Sequence, residues 1–302
     1  MDIHQSGRFG FILIVLCIFL VDCSSNESEF TPVNVNMKYP LIEQFDRDGD
    51  GFLTIAHRGA SGYYPENTMA AFRGALEMEA DMIELDVLLS KDGQVVVIHD
   101  ATLKRTTNGR GKVAEKTFDE LRQLDAGSWF AKKFKDEKIP HLREVLDFAK
   151  DSIAVNIEIK TEAVTDEAEG GIEEKALNLV KELNMDDQVI FSSFDYRALQ
   201  HLRQLDNDIP TAVLYNKKQS PDVMPAHLAD SLDADVFNCS YRQLNTQWLR
   251  DASRDTLPIL VYTVNRELRM ETLLKQGVKG IFSDKPDILK KSTQRIGKRA
   301  VQ

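Results

Sequence analysis

Met82-Ile83-Glu84-Leu85-Asp86-Val87 alternates acidic and apolar residues with a period of two. Side chains two apart on a strand face the same way, so Glu84 and Asp86 share one face and Ile83, Leu85 and Val87 the other. Working outward, short runs rich in Ile, Val and Phe recur at 53–56, 154–159, 188–192, 210–214, 235–238, 258–263 and 280–283, as expected of strands buried on both faces. Helical patterns lie between them. In 172–183, Ile172, Ala176, Leu179, Val180 and Leu183 fall on one face, with Asn184 as a stop; Met69, Phe72, Ala75 and Leu76 do the same within 66–79, started by Asn67 or Pro65. Eight strands alternating with helices predict an α/β fold, a (β/α)8 TIM-type barrel. An open doubly wound sheet is the competitor, weakened because no glycine-rich dinucleotide turn follows the first strand.

One run breaks the alternation. Val95–Ile98 follows strand 82–87 through Ser90-Lys91-Asp92-Gly93, too short for a parallel crossover and suited to a hairpin. This predicts an antiparallel excursion with His99 across from about Asp86. Residues 88–140 then form an insertion over the barrel mouth that carries Trp129 and Phe130, and a helix at 141–150 resumes the alternation.

The chain has 302 residues and a formal net charge of −10, which argues against a general nucleic-acid binder. Cys17, Cys23 and Cys239 make neither a zinc spacing nor a disulfide framework, and Cys239 is expected to be a buried thiol. The apolar run at 9–21, FGFILIVLCIFLV, has the length of a signal-peptide core and is short for a membrane span. Leu20-Val21-Asp22-Cys23 resembles a bacterial lipoprotein signal, with Asp22 where a small residue is expected. The expected organisation is an export signal at 1–23, a polar linker at 24–45, the barrel at 46–290 and a basic, fraying tail at 291–302. Export to the periplasm or cell envelope follows, with lipid anchoring at Cys23 as the membrane contact and no protein partner implied.

In barrels, catalytic groups collect at the carboxyl ends of strands. His57 and Arg58 close the first strand there. Glu84 and Asp86, side by side inside a barrel, lose hydration and repel, so they require a compensating cation; hard oxygen donors suit Ca²⁺ or Mg²⁺. Asn156, Glu158 and Lys160 share the inward face of the next barrel strand, which adds a third carboxylate and an amine. His99 arrives on the hairpin, where Asp100 either orients it or caps the next turn. Two histidines, three carboxylates, a lysine and an arginine suit phosphodiester cleavage. The cations neutralise charge on the non-bridging oxygens, one imidazole deprotonates the attacking hydroxyl and the other protonates the departing alkoxide.

The ordered strings His57-Arg58-Gly59-Ala60, Pro65-Glu66-Asn67-Thr68, Glu84-Leu85-Asp86-Val87 and His99-Asp100 resemble the glycerophosphodiester phosphodiesterase family. So do Arg105-Thr106-Thr107, the stretch from Leu124 to Phe130, Ile139-Pro140, Glu158 with Lys160, Ser193-Phe194, Val261-Tyr262-Thr263-Val264-Asn265 and Ser283-Asp284 with Pro286. The resemblance spans about residues 53–290 and, carried by several spaced motifs in order, is specific. It implies a TIM-type barrel, one Ca²⁺ or Mg²⁺ held by Glu84, Asp86 and Glu158, and His57 and His99 as the acid/base pair. It also implies Arg58 and Lys160 on phosphate, Asn67 reaching into the site, and hydrolysis of glycerophosphodiesters to glycerol 3-phosphate and an alcohol. The substrate's own glycerol hydroxyl would attack first. Tyr262 stands where Trp is expected and Ser283 where Thr is; both touch the rim and bear on substrate choice. Trp129 and Phe130 are either insertion core or a wall near the glycerol or headgroup. Two alternatives are a cyclising phospholipase-D-like lyase and a non-catalytic glycerophosphodiester-binding protein. Asp46-Arg47-Asp48-Gly49-Asp50-Gly51 matches the start of an EF-hand loop, but His57 occupies the place of the bidentate Glu, and a solvated acidic turn is the better reading.

Overall fold

The computed structural model describes residues 40–300, with side chains to 297. The expected export signal, Cys17, Cys23 and most of the linker lie outside the described residues. The chain begins with α1 (Pro40–Phe45), followed by β1 (Leu53–Ala56), α2 (Met69–Glu77), β2 (Met82–Leu89) and β3 (Val95–Val97). The insertion contributes α3 (Phe118–Arg122) and two short 3-10 turns, and α4 (Leu142–Ala149) leads back to β4 (Ala154–Ile159). Strict alternation follows: α5 (Ile172–Glu182), β5 (Val189–Ser193), α6 (Tyr196–Leu205), β6 (Thr211–Leu214), α7 (Pro225–Ser231), β7 (Val236–Ser240), α8 (Thr246–Arg254), β8 (Ile259–Tyr262), α9 (Glu267–Lys275), β9 (Gly280–Ser283) and α10 (Pro286–Ala300).

Eight parallel strands close into a ring because β1 pairs with both β2 and β9, while β3 hangs antiparallel on the free stretch of β2. Period-two patterning sorts the side chains. Ile83, Leu85, Val87, Val155, Ile157 and Ile159 belong to the core shared with the surrounding helices. Leu53, Ile55, Met82, Ala154, Ile190, Ala212, Val236, Leu260 and Phe282 form a second core inside the ring.

Three expectations are corrected. Residues 40–45, assigned to a linker, form α1, and Ile42 and Phe45 are buried in the inner core. An open barrel end would leave Leu53 and Met82 wet, so an apolar plug there removes surface from water. The chain does not fray from Lys290: α10 runs to Ala300 with Lys290, Ser292, Thr293 and Ile296 buried. Its polar residues are the ones that meet polar partners at the barrel base. Finally, α2 starts at neither Asn67 nor Pro65. Thr68 is its N-cap and accepts the Ala71 amide, which leaves Asn67 free for another use. Asn184, by contrast, ends α5 as expected, adopting a φ of 52° just past the helix.

Candidate active site

The β2–β4 register sets Glu84 beside Asn156 and Asp86 beside Glu158. These inward side chains stand one pleat above the apolar interior, so their carboxylates crowd into a desolvated space. Oxygens of Glu84, Asp86 and Glu158 lie within 4.8 Å of one another. Burial and the charge of Asp86 push Glu84 up to about 8. Burial, with Asp86 again, also raises Glu158. Asp86 goes the other way: burial opposes its charge, but Arg58 and Lys160 outweigh that and keep it ionised below the ordinary carboxylate range. Arg58 Nε stands 3.3 Å from Asp86 Oδ2, and Lys160 Nζ is 3.2 Å from Asp86 Oδ1 and 2.6 Å from Glu158. Even so, Asp86 Oδ1 is buried and accepts no well-directed hydrogen bond. A buried, oxygen-only donor set with one orphaned oxygen and two carboxylates destabilised as anions fits a divalent cation.

The backbone is bent to serve these acids. Arg58 adopts a φ of 54°, and from that left-handed turn its amide donates to Glu84 Oε2 at 2.8 Å. Gly59 follows at φ 77°, where a Cβ would lie 2.6 Å from the Ala71 backbone. Asn67, at φ 56°, clamps Asp86 from both ends: its amide nitrogen donates to Asp86 Oδ2 at 2.8 Å, and its oxygen accepts the Asp86 amide at 3.3 Å. Asn67 therefore reaches into the site as a positioner of a carboxylate, although it is not among the residues lining the main cavity. Strained, non-glycine backbone of this kind persists only where its surroundings over-determine it.

Each histidine is gripped at Nδ1 by a carboxylate, which leaves Nε2 as the free ring nitrogen. His57 Nδ1 is 2.7 Å from Asp284 Oδ1, just past β9. Asp284 is itself held by Ser61 Oγ at 3.0 Å and Asn265 Nδ2 at 2.5 Å. Burial alone would lower the His57 pKa, but the Asp284 bond and the charge of Glu84 overcome it and hold the imidazole above its ordinary value. His99 Nδ1 is 2.6 Å from Asp100 Oδ1. Arg105 braces Asp100 with two hydrogen bonds and Glu66 with two more, and Glu66 in turn accepts from Arg58 at 2.8 Å. The strand pairing differs by one place from expectation: the Ile98 amide donates to the Asp86 carbonyl, so His99 leaves the ladder one residue further on. Its ring still reaches the same cavity.

That cavity, about 220 Å³, is lined on one side by His57, Arg58, Glu84, His99, Glu158 and Lys160, and on the other by Phe194, Leu214, Tyr262 and Phe282. Tyr262 packs edge-on against Phe194 at 6.0 Å, so it lies where the sequence placed it. Trp129 and Phe130 do not line the cavity; they are exposed and pack edge-on against each other. Asp284, Glu66 and Arg105 are supports to which the sequence assigned no role; their only signal was membership in the ordered motifs. Cys239 is buried as expected, its thiol pushed up to about 12 by burial. The acidic turn uses Asp46 to accept the amides of Asp48, Gly49 and Gly51.

The profile of the glycerophosphoryl diester phosphodiesterase family matches residues 57–288. A glycerophosphodiester phosphodiesterase of Caldanaerobacter subterraneus is 42% identical over 238 residues, covering 78% of this chain and 96% of the relative. One from Bacillus subtilis is 36% identical over 293 residues, covering 92% and 97%. Among solved structures, a phosphodiesterase of Oleispira antarctica in complex with the product sn-glycerol-3-phosphate superposes with a TM-score of 0.73 at 31% identity, covering 80% of this chain and 96% of that one. With the barrel, the ordered motifs and these relatives in agreement, the chain belongs to the glycerophosphoryl diester phosphodiesterase family.

Proposed function

We propose that this hydrolase cleaves glycerophosphodiesters to sn-glycerol 3-phosphate and an alcohol, with His57 and His99 as the acid/base pair and one Ca²⁺ or Mg²⁺ held by Glu84, Asp86 and Glu158. The observation that carries the reading is the convergence of two carboxylate-gripped imidazoles on one small cavity beside three crowded acids. When bound, the cation supplies charge neutralisation on the phosphoryl oxygens. Arg58 and Lys160 line the same wall and add positive charge there. One imidazole Nε2 takes the proton of the substrate's own glycerol hydroxyl as that oxygen bonds to phosphorus. The other gives a proton to the alkoxide as its bond to phosphorus breaks. Water then opens the cyclic phosphate with the proton roles reversed. The apolar wall of Phe194, Leu214 and Tyr262 keeps bulk water away from the reacting centre.

Phosphorus NMR of the products tests the reading. Glycerol 3-phosphate supports it; accumulation of cyclic phosphate makes the enzyme a lyase, and binding without turnover removes the catalytic reading. Assays after chelation and re-addition of Ca²⁺, Mg²⁺ or Mn²⁺ choose the ion. The 9–21 run and Cys23 support an exported, envelope-located and lipid-anchored enzyme. Mass spectrometry of the mature amino terminus, compared with Cys23→Ala, tests that.

A further inference from the structure

Among the described residues, the exposed large apolar side chains are Trp129, Phe130 and Leu268, and two of the three are neighbours. Their exposure is built in, not a consequence of a loose loop. Asp125 Oδ1 accepts the amides of Gly127 and Ser128, the Phe130 amide reaches the Gly127 carbonyl, and Trp129 Nε1 donates to the Ala126 carbonyl at 2.8 Å. A Cβ on Gly127 would lie 1.9 Å from the Phe134 carbonyl oxygen, so the turn is closely packed. With its indole N–H already satisfied, Trp129 turns an apolar surface outward. Phe130 packs edge-on against it and against Phe134, with ring centroids 5.7 and 5.9 Å apart.

Lys132, Lys133 and Lys135 are exposed in the next turn. Lys133 lies over the Phe134 ring at 4.7 Å, and none of the three makes an ion pair among the described residues. Asp136 is the exposed acid alongside, while Glu137 is occupied by the Ala70 amide and Arg73. A chain of net charge −10 thus presents a local cationic rim around a rigid aromatic pair. The patch stands beside the catalytic mouth: Phe134 packs on Tyr64 at 5.6 Å in the β1–α2 connection, and Ala126 shares a small pocket with Glu66, Asn67 and His99.

We propose that this patch docks on an anionic bilayer, with Trp129 and Phe130 in the interface and Lys132, Lys133 and Lys135 on acidic headgroups. Aromatic rings favour the headgroup level, and lysines add attraction to anionic lipid. Charge complementarity selects this occupant. A neutral protein groove would leave the lysines unused, whereas an anionic bilayer engages the rings and the lysines together. Docking of this patch does not depend on turnover.

The chain contains two tryptophans, and Trp248 is buried between Tyr215 and Phe237. In the full-length protein carrying Trp248→Phe, Trp129 is the sole reporter. Because the 9–21 run can hold the protein to a vesicle by itself, the reading is taken at Trp129 and not from total binding. On vesicles of phosphatidylglycerol and phosphatidylcholine, Trp129 emission shifts to the blue and is quenched by brominated acyl chains. On pure phosphatidylcholine, insertion falls on the order of 100-fold, as the loss of attraction for three lysines requires. Lys132→Glu/Lys133→Glu/Lys135→Glu gives at least as large a loss on anionic vesicles, since it adds repulsion to the lost attraction. If Trp248→Phe does not fold, the same signal is obtained by subtracting the spectrum of Trp129→Phe from that of the native chain. Emission unchanged on anionic vesicles, equal on both lipids, or shifted only by raising protein concentration without lipid overturns the proposal.

Discussion

The two ends of the barrel treat buried charge in opposite ways. At the base, Lys290 Nζ meets Asp81 Oδ1 at 2.8 Å, and the other Asp81 oxygen accepts the Thr54 amide at 2.7 Å. The amine also stands 3.3 Å from Asp48, and it ties α10 to the strand starts. At the mouth, three carboxylates share two cations, and Asp86 Oδ1 still lacks a well-directed hydrogen bond. Both ends place acids in low dielectric, but each oxygen of Asp81 at the base has a hydrogen-bond partner within the protein, whereas an oxygen of Asp86 at the mouth has none. Charge at the base therefore holds the fold, and charge at the mouth is kept at the fold's expense.

Breaking the mouth should cost activity and spare stability. His57→Ala and His99→Ala each lower kcat/KM by about 10²–10⁴-fold, the usual worth of a positioned acid or base, with the urea midpoint unmoved. Retained turnover in either variant would falsify the roles given to them. Breaking the base should do the reverse. Lys290→Met strands Asp81 and costs about 3–5 kcal/mol in urea unfolding, while activity per folded molecule stays at the native level; a stable Lys290→Met protein would show the pair to be dispensable.

A third measurement sharpens the contrast. After chelation, a divalent ion added at a hundred times its Kd raises unfolding free energy by about 2.7 kcal/mol. Glu84→Gln loses that increment, but Asp50→Asn in the acidic turn keeps it. An equal increment in both variants places the ion elsewhere.

The smallest expected effect lies in the support of His57. Asp284 raises the His57 pKa, so Asp284→Asn lowers it, and the limb of the pH–rate profile set by His57 moves to lower pH. Movement of the acid limb makes His57 the base, and movement of the alkaline limb makes it the acid. A profile that only drops in height, with both limbs in place, shows that Asp284 does not tune His57.

The acids were legible because they alternate: Glu84 with Asp86, and Asn156 with Glu158 and Lys160, need only a period of two to share a face. The strand–helix alternation was legible for the same reason, since buried parallel strands are apolar almost throughout. Asp284 and Arg105 were not, because nothing local to either one says which histidine it serves. Asn67 was misread as a helix start for a related reason. Beside Pro65 it looks like a helix start, and only a left-handed backbone turns its amide toward Asp86. Trp129 and Phe130 were read as insertion core or as a wall near the substrate, since sequence alone does not say which way a paired aromatic turns; they are exposed.

Periodicity and motif order, both properties of neighbouring residues, were enough to specify the barrel, the three acids and the two imidazoles. Tertiary pairing decided the rest: ring closure brought Asp284, just past the last strand, to His57, just past the first, the β2–β4 register set Glu158 beside Asp86, and α1 plugged the base. Those contacts join residues up to more than two hundred positions apart, and such pairings are fixed by which surfaces remain to be buried once every strand has found its neighbours.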